Sequence, residues 1–173
     1  MPSNCPAIAQ GYTKGCSDSQ GGTKKFWVTE WANIATLTES SGVITAFTLN
    51  PGKVLWLYEQ ELETAIVTEV PTPNRQNGNI FYEQNVTIVM NKQDASKAYG
   101  LRALGHQDLL IIAQHETGTN FAYGVSRGMH MNTGGEITTG TAIGDRNGYT
   151  ILFNGKEPYP AFTISQALVD AAD

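Results

Sequence analysis

The sequence predicts a mainly β (α+β) protein, a β-sandwich or barrel with a long β-hairpin and one flanking α-helix. Turn signals such as Asn50-Pro51-Gly52 and Asn154-Gly155 recur at short intervals along the chain. They separate short segments rich in Val, Ile, Thr, Tyr and Phe, a pattern that is typical of sheet proteins. One longer segment, residues 91–106, instead repeats its apolar side chains with the period of a helix.

The chain has 173 residues, which is the length of a single domain. Residues 1–22 are rich in Gly, Ser, Gln and Asn, and we predict an extended arm there. A single β domain is expected over residues 23–173. Strands are predicted at residues 25–31, 43–49, 54–70, 78–90, 109–115, 121–125, 136–139, 149–154 and 161–164.

The predicted helix over residues 91–106 carries Ala95, Ala98, Tyr99 and Leu101 at helical spacing. Asn91 or Asp94 is expected to cap its beginning and Gly105 to end it. Its apolar stripe should lie on the sheet. A weaker helical signal closes the chain at residues 166–172.

Two long strand-like runs, residues 53–70 and 78–91, predict the hairpin. Side chains two apart in a strand point to the same face. The acidic residues at odd positions of the first run therefore share one face: Glu59, Glu61, Glu63 and Glu69. Glu83 lies on the polar face of the second run. These runs predict a ribbon with one apolar and one acidic side.

Composition excludes several classes of protein. The net charge of -5 argues against general nucleic-acid binding, which relies on Lys and Arg. No segment reaches the roughly 20 apolar residues that cross a bilayer, and the N-terminus lacks the apolar core of a signal peptide. Cys5 and Cys16 do not supply a zinc site, and free thiols are favoured over a local disulfide.

Catalytic patterns are weak. The spacing of Glu59, Glu61 and Glu63 fits a pair of hydrolytic carboxylates, but any solvated strand face produces it. Ser126 lies in a Gly-x-Ser-x-Gly pattern, yet the residues after it predict turn and strand rather than the helix of a hydrolase elbow. No metal-binding spacing joins the three histidines: His106, His115 and His130. We therefore expect no enzyme and no cofactor.

Aromatic side chains allow a second interpretation. Clustered aromatics can form a carbohydrate platform or a stacking surface for bases. Here they alternate with positions that also suit a strand core, so core or subunit interface is the favoured interpretation. The residues concerned are Phe26, Trp27, Trp31, Trp56 and Tyr58.

The order of segments in the C-terminal half adds a family resemblance. It rests on residues 108–112, 117–124, 140–153 and 155–157, and on the strand ending at residues 87–92 before the helix. In these segments the chain resembles the tail tube proteins of tailed bacteriophages, particularly those of Bacteroidetes hosts. The likeness spans residues 15–164.

The resemblance implies a tail-tube-like sandwich whose hexameric rings stack into a tube in the virion tail, assembled in the host cytoplasm. Its partners would be further copies, other tail proteins, and DNA that passes through the lumen without specific binding. In such tubes each subunit contributes strands to an inner barrel, and the ribbon of residues 53–91 is the candidate.

This arrangement assigns roles to residues of the ribbon. Five carboxylates would face the lumen and repel phosphates: Glu59, Glu61, Glu63, Glu69 and Glu83. The alternative is that they keep a monomer soluble. The ribbon tip would contact the next ring through Pro71, Pro73, Asn74 and Arg75. Competing functions are another virion component, such as a tail terminator, head-completion or capsid-decorating protein, and a carbohydrate-binding or hydrolytic module that would use Trp27 or Trp56.

Overall fold

The computed structural model describes residues 11–15 and 19–173. Strands account for 51% of the chain and helices for 11%, so the predicted mainly β fold with one main helix is confirmed. The strands are β1 (Thr23–Glu30), β2 (Ile34–Ser40), β3 (Val43–Leu49), β4 (Trp56–Glu59), β5 (Ile66–Asn74), β6 (Asn79–Asn91), β7 (Leu109–His115), β8 (Asn120–Tyr123), β9 (His130–Met131), β10 (Glu136–Thr138), β11 (Gly148–Glu157) and β12 (Phe162–Ile164). The helices are α1 (Ala95–Leu104) and α2 (Gln166–Asp170), and a 3-10 turn spans Trp31–Asn33.

The strands form two sheets. The first has seven strands in the order β2-β3-β12-β8-β7-β1-β4. The second runs β10-β11-β6-β5, and the short β9 also pairs with β11. Within the described residues, β2 and β4 are therefore the outer strands of the first sheet, and β5 and β10 those of the second.

Two apolar clusters hold these layers together. The larger lies between the sheets and joins Phe26 and Ile111 of the first sheet to Ile88 and Phe153 of the second. The smaller lies on the other side of the first sheet, where α2 covers it with the fully buried Val169. The alternation of side chains along β1 and β7 supplies both clusters, since neighbouring residues of a strand point to opposite faces.

The predicted strand over residues 54–70 is wrong. The structure divides it into β4, in the first sheet, and β5, in the second. A turn at residues 60–65 makes the crossing, with Glu63 in the left-handed region at φ 60°. The Gln60 side chain accepts a 2.9 Å hydrogen bond from Val89 N, which fixes the turn against β6. That bond is non-local, so no local pattern of residues 54–70 revealed it.

The hairpin itself is present. It consists of β5 and β6, which pair from Ile66 opposite Thr87 to Asn74 opposite Asn79. Asn77 N donates to Asn74 Oδ1 at the tip, where Gly78 has a φ of 67°. The ribbon therefore spans residues 66–91 rather than 53–91.

The flanking helix is close to its prediction. Asp94 caps α1 by accepting from Lys97 N, and Gly105 follows its last turn. The predicted apolar stripe holds only in part, because Leu101 packs against the core while Tyr99 is 77% exposed. β2 was not predicted: four of its seven residues are polar and exposed, namely Thr36, Thr38, Glu39 and Ser40.

The arm predicted at residues 1–22 lies partly outside the described residues, together with Cys5 and Cys16. Residues 11–15 and 19–22 are exposed and belong to neither a strand nor a helix. Among the residues the structure describes, no helix has the length and apolar character needed to cross a bilayer.

Candidate functional site

The five predicted lumen glutamates do not share one face. Glu59 ends the outer strand β4, and Glu61 and Glu63 are exposed in the turn at residues 60–65. Glu69 and Glu83 lie on neighbouring strands of the hairpin but on opposite faces of the second sheet. The prediction of a single acidic face is therefore wrong, since it required one unbroken strand.

Glu69 faces the first sheet. It stands opposite Gln84, which is 1% exposed, and its Oε1 accepts hydrogen bonds from Gln84 Nε2 at 2.7 Å and from Ala161 N at 2.9 Å. Gln84 in turn accepts from Gly124 N through its own Oε1. Burial, and then the Glu69 carboxylate, raise the pKa of Tyr123, which keeps that phenol protonated. Glu69 thus belongs to a polar link between the sheets.

Glu83 lies on the outer face of the second sheet. Asn154 Nδ2 donates to its carboxylate, and Lys156 stands opposite it in the register of β11 and β6. The Lys156 ammonium also lies over the Phe81 ring. Glu136 of β10 is the other acidic residue of this face, and most of the remaining side chains are uncharged. The polar ones include Thr68, Thr72, Asn85, Thr87 and Thr150, and the apolar ones include Ile66, Val70 and Leu152.

The hairpin tip holds the residues predicted to contact a second ring. Pro71, Pro73, Asn74 and Arg75 are all exposed. Both prolines lie in β5, an outer strand, which is where a residue without a backbone N–H is tolerated in a sheet. Because Pro71 and Pro73 lack a backbone N–H, they limit the pairing of another strand with β5 near the tip. The part of β5 that can pair with another strand is therefore residues 66–70.

A run of exposed apolar side chains follows the outer strands β4 and β5. Trp56 is 67% exposed and Leu62, in the turn between these strands, 73% exposed. Leu57, Ile66 and Val70 are also exposed. Large apolar area in water marks contact surfaces, and an unpaired strand edge offers backbone groups to another chain. We call residues 56–70 the edge surface.

A second apolar feature is a cleft of about 460 Å³ between α1 and strands β1 and β4. No residue of α1 is buried, so the helix covers the sheet only partly. The cleft's apolar lining includes Trp56, Tyr58, Met90, Tyr99, Leu101 and Leu104. Its charged lining residues are Glu30 and Lys97. We call this space the α1 cleft.

The residues weighed for catalysis are dispersed. Ser126 N donates to Glu157, and turn residues and β9 follow Ser126, as the sequence predicted. His115 stacks on Phe121, and His130 Nδ1 lies 3.0 Å from Asp108 Oδ1 at an exposed position. Within residues 11–15 and 19–173, no group of three His, Cys, Asp or Glu side chains is placed to hold a metal ion.

The aromatic residues divide between the core and the surface: Phe26 and Trp27 are buried, whereas Trp31 and Trp56 are exposed. Trp27 is 4% exposed and packs in the smaller cluster, so it is not available to a glycan. Trp56 remains exposed on the edge surface, and Trp31 donates its Nε1 hydrogen to Val125 O. Sequence reasoning missed Leu62 and the α1 cleft, which arise from the turn at residues 60–65 and from the partial cover by α1.

Comparisons with known protein families, with curated proteins and with solved structures found no match.

Proposed function

We propose that this chain is a structural protein of a bacteriophage virion, whose hexameric rings stack into the tail tube through which DNA is ejected. The observation that carries the proposal is the edge surface. It combines two open strand edges with exposed Trp56, Leu62 and Ile66 within one short stretch of chain. Joining each subunit to a neighbour in a closed ring would cover both features.

The second sheet is the part proposed to line the lumen. The inner face of the second sheet contributes to the larger cluster between the sheets. Its outer face carries hydrogen-bonding side chains and few charges. Glu83 and Glu136 lie on that face, and the turn with Glu61 and Glu63 leads into β5 at the end away from the hairpin tip. We do not propose that Glu69 faces the lumen, because its carboxylate accepts hydrogen bonds from Gln84 and Ala161 N on the opposite face of the sheet.

The hairpin tip gives the proposed stacking contact. It lies at one end of the second sheet, so in a ring its copies would all project in the same direction. Arg75 is exposed there. A ring with such tips on one side would meet the opposite side of the next ring, which is a heterologous contact that continues without limit.

Electron microscopy of the purified protein tests the proposal. We expect rings with sixfold symmetry and tubes of stacked rings. Ile66→Lys places a charge on the open edge of β5 and should abolish rings. Val43→Lys is the matched control, because Val43 is 46% exposed but lies on β3, a strand already paired on both sides.

Two outcomes would overturn the proposal. The first is a protein that stays monomeric at high concentration, with no rings under any salt condition. The second is a single ring that never stacks, which would favour a tail terminator or head-completion protein. Glycan binding that is lost in Trp56→Ala, in a monomeric protein, would favour the carbohydrate-binding alternative.

A further inference from the structure

The loop between β10 and β11 presents an isoleucine that is fully exposed among the described residues. Ile143 is 108% exposed, the most exposed of the large apolar side chains in the described residues. Solvated isoleucine is unfavourable, because burying such a side chain gains about 1.5–3 kcal/mol. A loop that holds it wholly in water is therefore a candidate contact.

This loop is pre-formed. Asp145 Oδ2 accepts hydrogen bonds from Thr141 N at 2.9 Å and from Ala142 N at 2.7 Å, and Asp145 N donates to Ala142 O. Gly140 has a φ of 69°, and a Cβ there would lie 2.5 Å from the Asp145 Cβ. Only glycine fits at that position. Because the loop is ordered before contact, little conformational entropy is lost when it docks.

The base of the loop is tied to the segment that leads into α1. Lys92 N donates to Asn147 O at 2.7 Å, and Gln93 Nε2 donates to Thr138 O at 2.8 Å. The loop and the α1 cleft are thus held at the same end of the second sheet, away from the hairpin tip. Their relative position is fixed by hydrogen bonds rather than by a linker.

The α1 cleft complements this loop in chemistry. Its lining is mainly apolar, with aromatic Trp56 and Tyr99 exposed beside it. Lys97 is already bound to Asp94 and to the carbonyls of Asn91 and Lys92. Glu30 accepts only from Asn33 Nδ2 and forms no salt bridge within the described residues. The cleft therefore combines an apolar space with the Glu30 carboxylate, which forms no salt bridge within the described residues.

We propose that Ile143 of one subunit inserts into the α1 cleft of the adjacent subunit in the same ring, with Arg146 beside it pairing with Glu30. The inference rests on the proposed function and specifies its lateral contact. Because the loop and the cleft are different surfaces, their contact is heterologous, the type that generates rings when the rotation closes. Both lie at one level of the subunit, which suits side-by-side neighbours rather than stacked rings.

Cysteine cross-linking tests the contact in the assembled protein. In a Cys5→Ser, Cys16→Ser background, Ile143→Cys is combined with Tyr99→Cys at the side of the cleft. Oxidation should give a ladder of covalent oligomers that ends at the hexamer on a non-reducing gel. Ile143→Cys with Val43→Cys is the control pair and should give no ladder.

The outcomes separate this inference from the proposed function. Tubes seen by microscopy without a ladder would overturn the lateral contact and leave the tube intact. A ladder that continues beyond the hexamer would place the contact between rings and also overturn it. Absence of rings in the cysteine background and in the natural protein would overturn both.

Two further variants test the chemistry of the contact. Ile143→Glu should leave the melting temperature unchanged, because the Ile143 side chain is fully exposed among the described residues. The same variant should raise the concentration needed for assembly by about tenfold or more. Arg146→Glu should weaken assembly, and adding Glu30→Lys should restore it. Unchanged assembly in Ile143→Glu, or no rescue in the charge swap, would contradict the proposed insertion or the proposed pairing.

Discussion

Gln84 faces Glu69 across β5 and β6, and its Nε2 donates a 2.7 Å hydrogen bond to Glu69 Oε1. Through Gln84 Oε1 the link continues to Gly124 N, and through Glu69 to Ala161 N. The hairpin is therefore bound to the first sheet by polar groups as well as by the larger cluster. A glutamate that alternation alone assigns to a solvated face is here half-buried and faces the first sheet.

Glu69→Ala is expected to destabilise the fold by about 2 kcal/mol, because Gln84 and Ala161 N would lose their acceptor. Glu61→Ala is the matched control, since Glu61 is exposed in the turn at residues 60–65, and it should change the free energy of unfolding by less than about 0.5 kcal/mol. Urea denaturation of both variants measures the difference. Equal stability would mean that the Glu69 link contributes nothing.

Glu157→Ala tests a buried carboxylate. Glu157 is 3% exposed and accepts from Ser126 N at 3.0 Å and Arg127 N at 3.1 Å. Its removal should cost about 2–3 kcal/mol, because two backbone donors would lose a charged acceptor. Thermal unfolding reports the loss, and Glu136→Ala, on the exposed strand β10, should melt like the natural protein.

Sequence reasoning succeeded where structure follows from local pattern. The turn signals, the strand at 43–49 and the Asp94 cap depend on neighbouring residues, and the structure reproduces them. The hairpin also followed from the residues around Asn77-Gly78, since Gly accepts the positive φ that the turn needs.

The candidate site was predicted less well because it depends on non-local contacts. Alternation assigned residues 54–70 to one strand, but the bond from Val89 N to Gln60 stops β4 and lets β5 begin in the other sheet. That single break moves Glu61 and Glu63 into a turn and separates them from Glu69. Exposure of Leu62 and Ile143 is likewise a property of the folded chain, which no spacing of residues indicates.

Charge reversal on the outer face of the second sheet tests which surface lines the tube. Tubes of Glu83→Lys should retain short duplex DNA at low salt, because the added cations attract phosphates, and retention should fall as salt rises. Glu39→Lys, on the outer strand β2 of the first sheet, is the control. Sedimentation of tubes with labelled DNA measures retention. If both variants retain DNA equally, the second sheet does not line the lumen.

The free energy of unfolding should depend on pH through His115. Burial lowers the pKa of His115 below its ordinary value of 6.5, so the folded state favours the neutral ring. This contribution to stability is present above pH 6.5 and is lost as the pH falls towards the folded pKa. His115→Gln should reduce the decline in unfolding free energy over that range, whereas His106→Gln, at an exposed position, should not. If the unfolding free energy of both variants declines equally with pH, groups other than His115 cause the acid sensitivity.

Asp145→Ala should loosen the loop that carries Ile143 without unfolding the domain. The Ala142 and Thr141 amides lower the pKa of Asp145, which shows that they favour its charged form. In this variant the Thr141 and Ala142 amides lose their acceptor and bind water instead. Amide hydrogen exchange at residues 141–145 should therefore accelerate, while β11 and β6 keep their protection. Assembly should weaken as well, because a mobile loop loses more entropy on docking.

The same loop should respond to pH in the natural protein. The hydrogen bonds to Asp145 are complete above its ordinary pKa of 3.8 and are lost as the pH falls through the lowered folded value. Exchange in the loop should therefore increase only in strong acid, and Asp145→Asn, which keeps an acceptor oxygen, should show no such increase. A loop that exchanges at the same rate in Asp145→Ala as in the natural chain would show that the carboxylate does not order it, and the pre-formed contact around Ile143 would lose its physical basis.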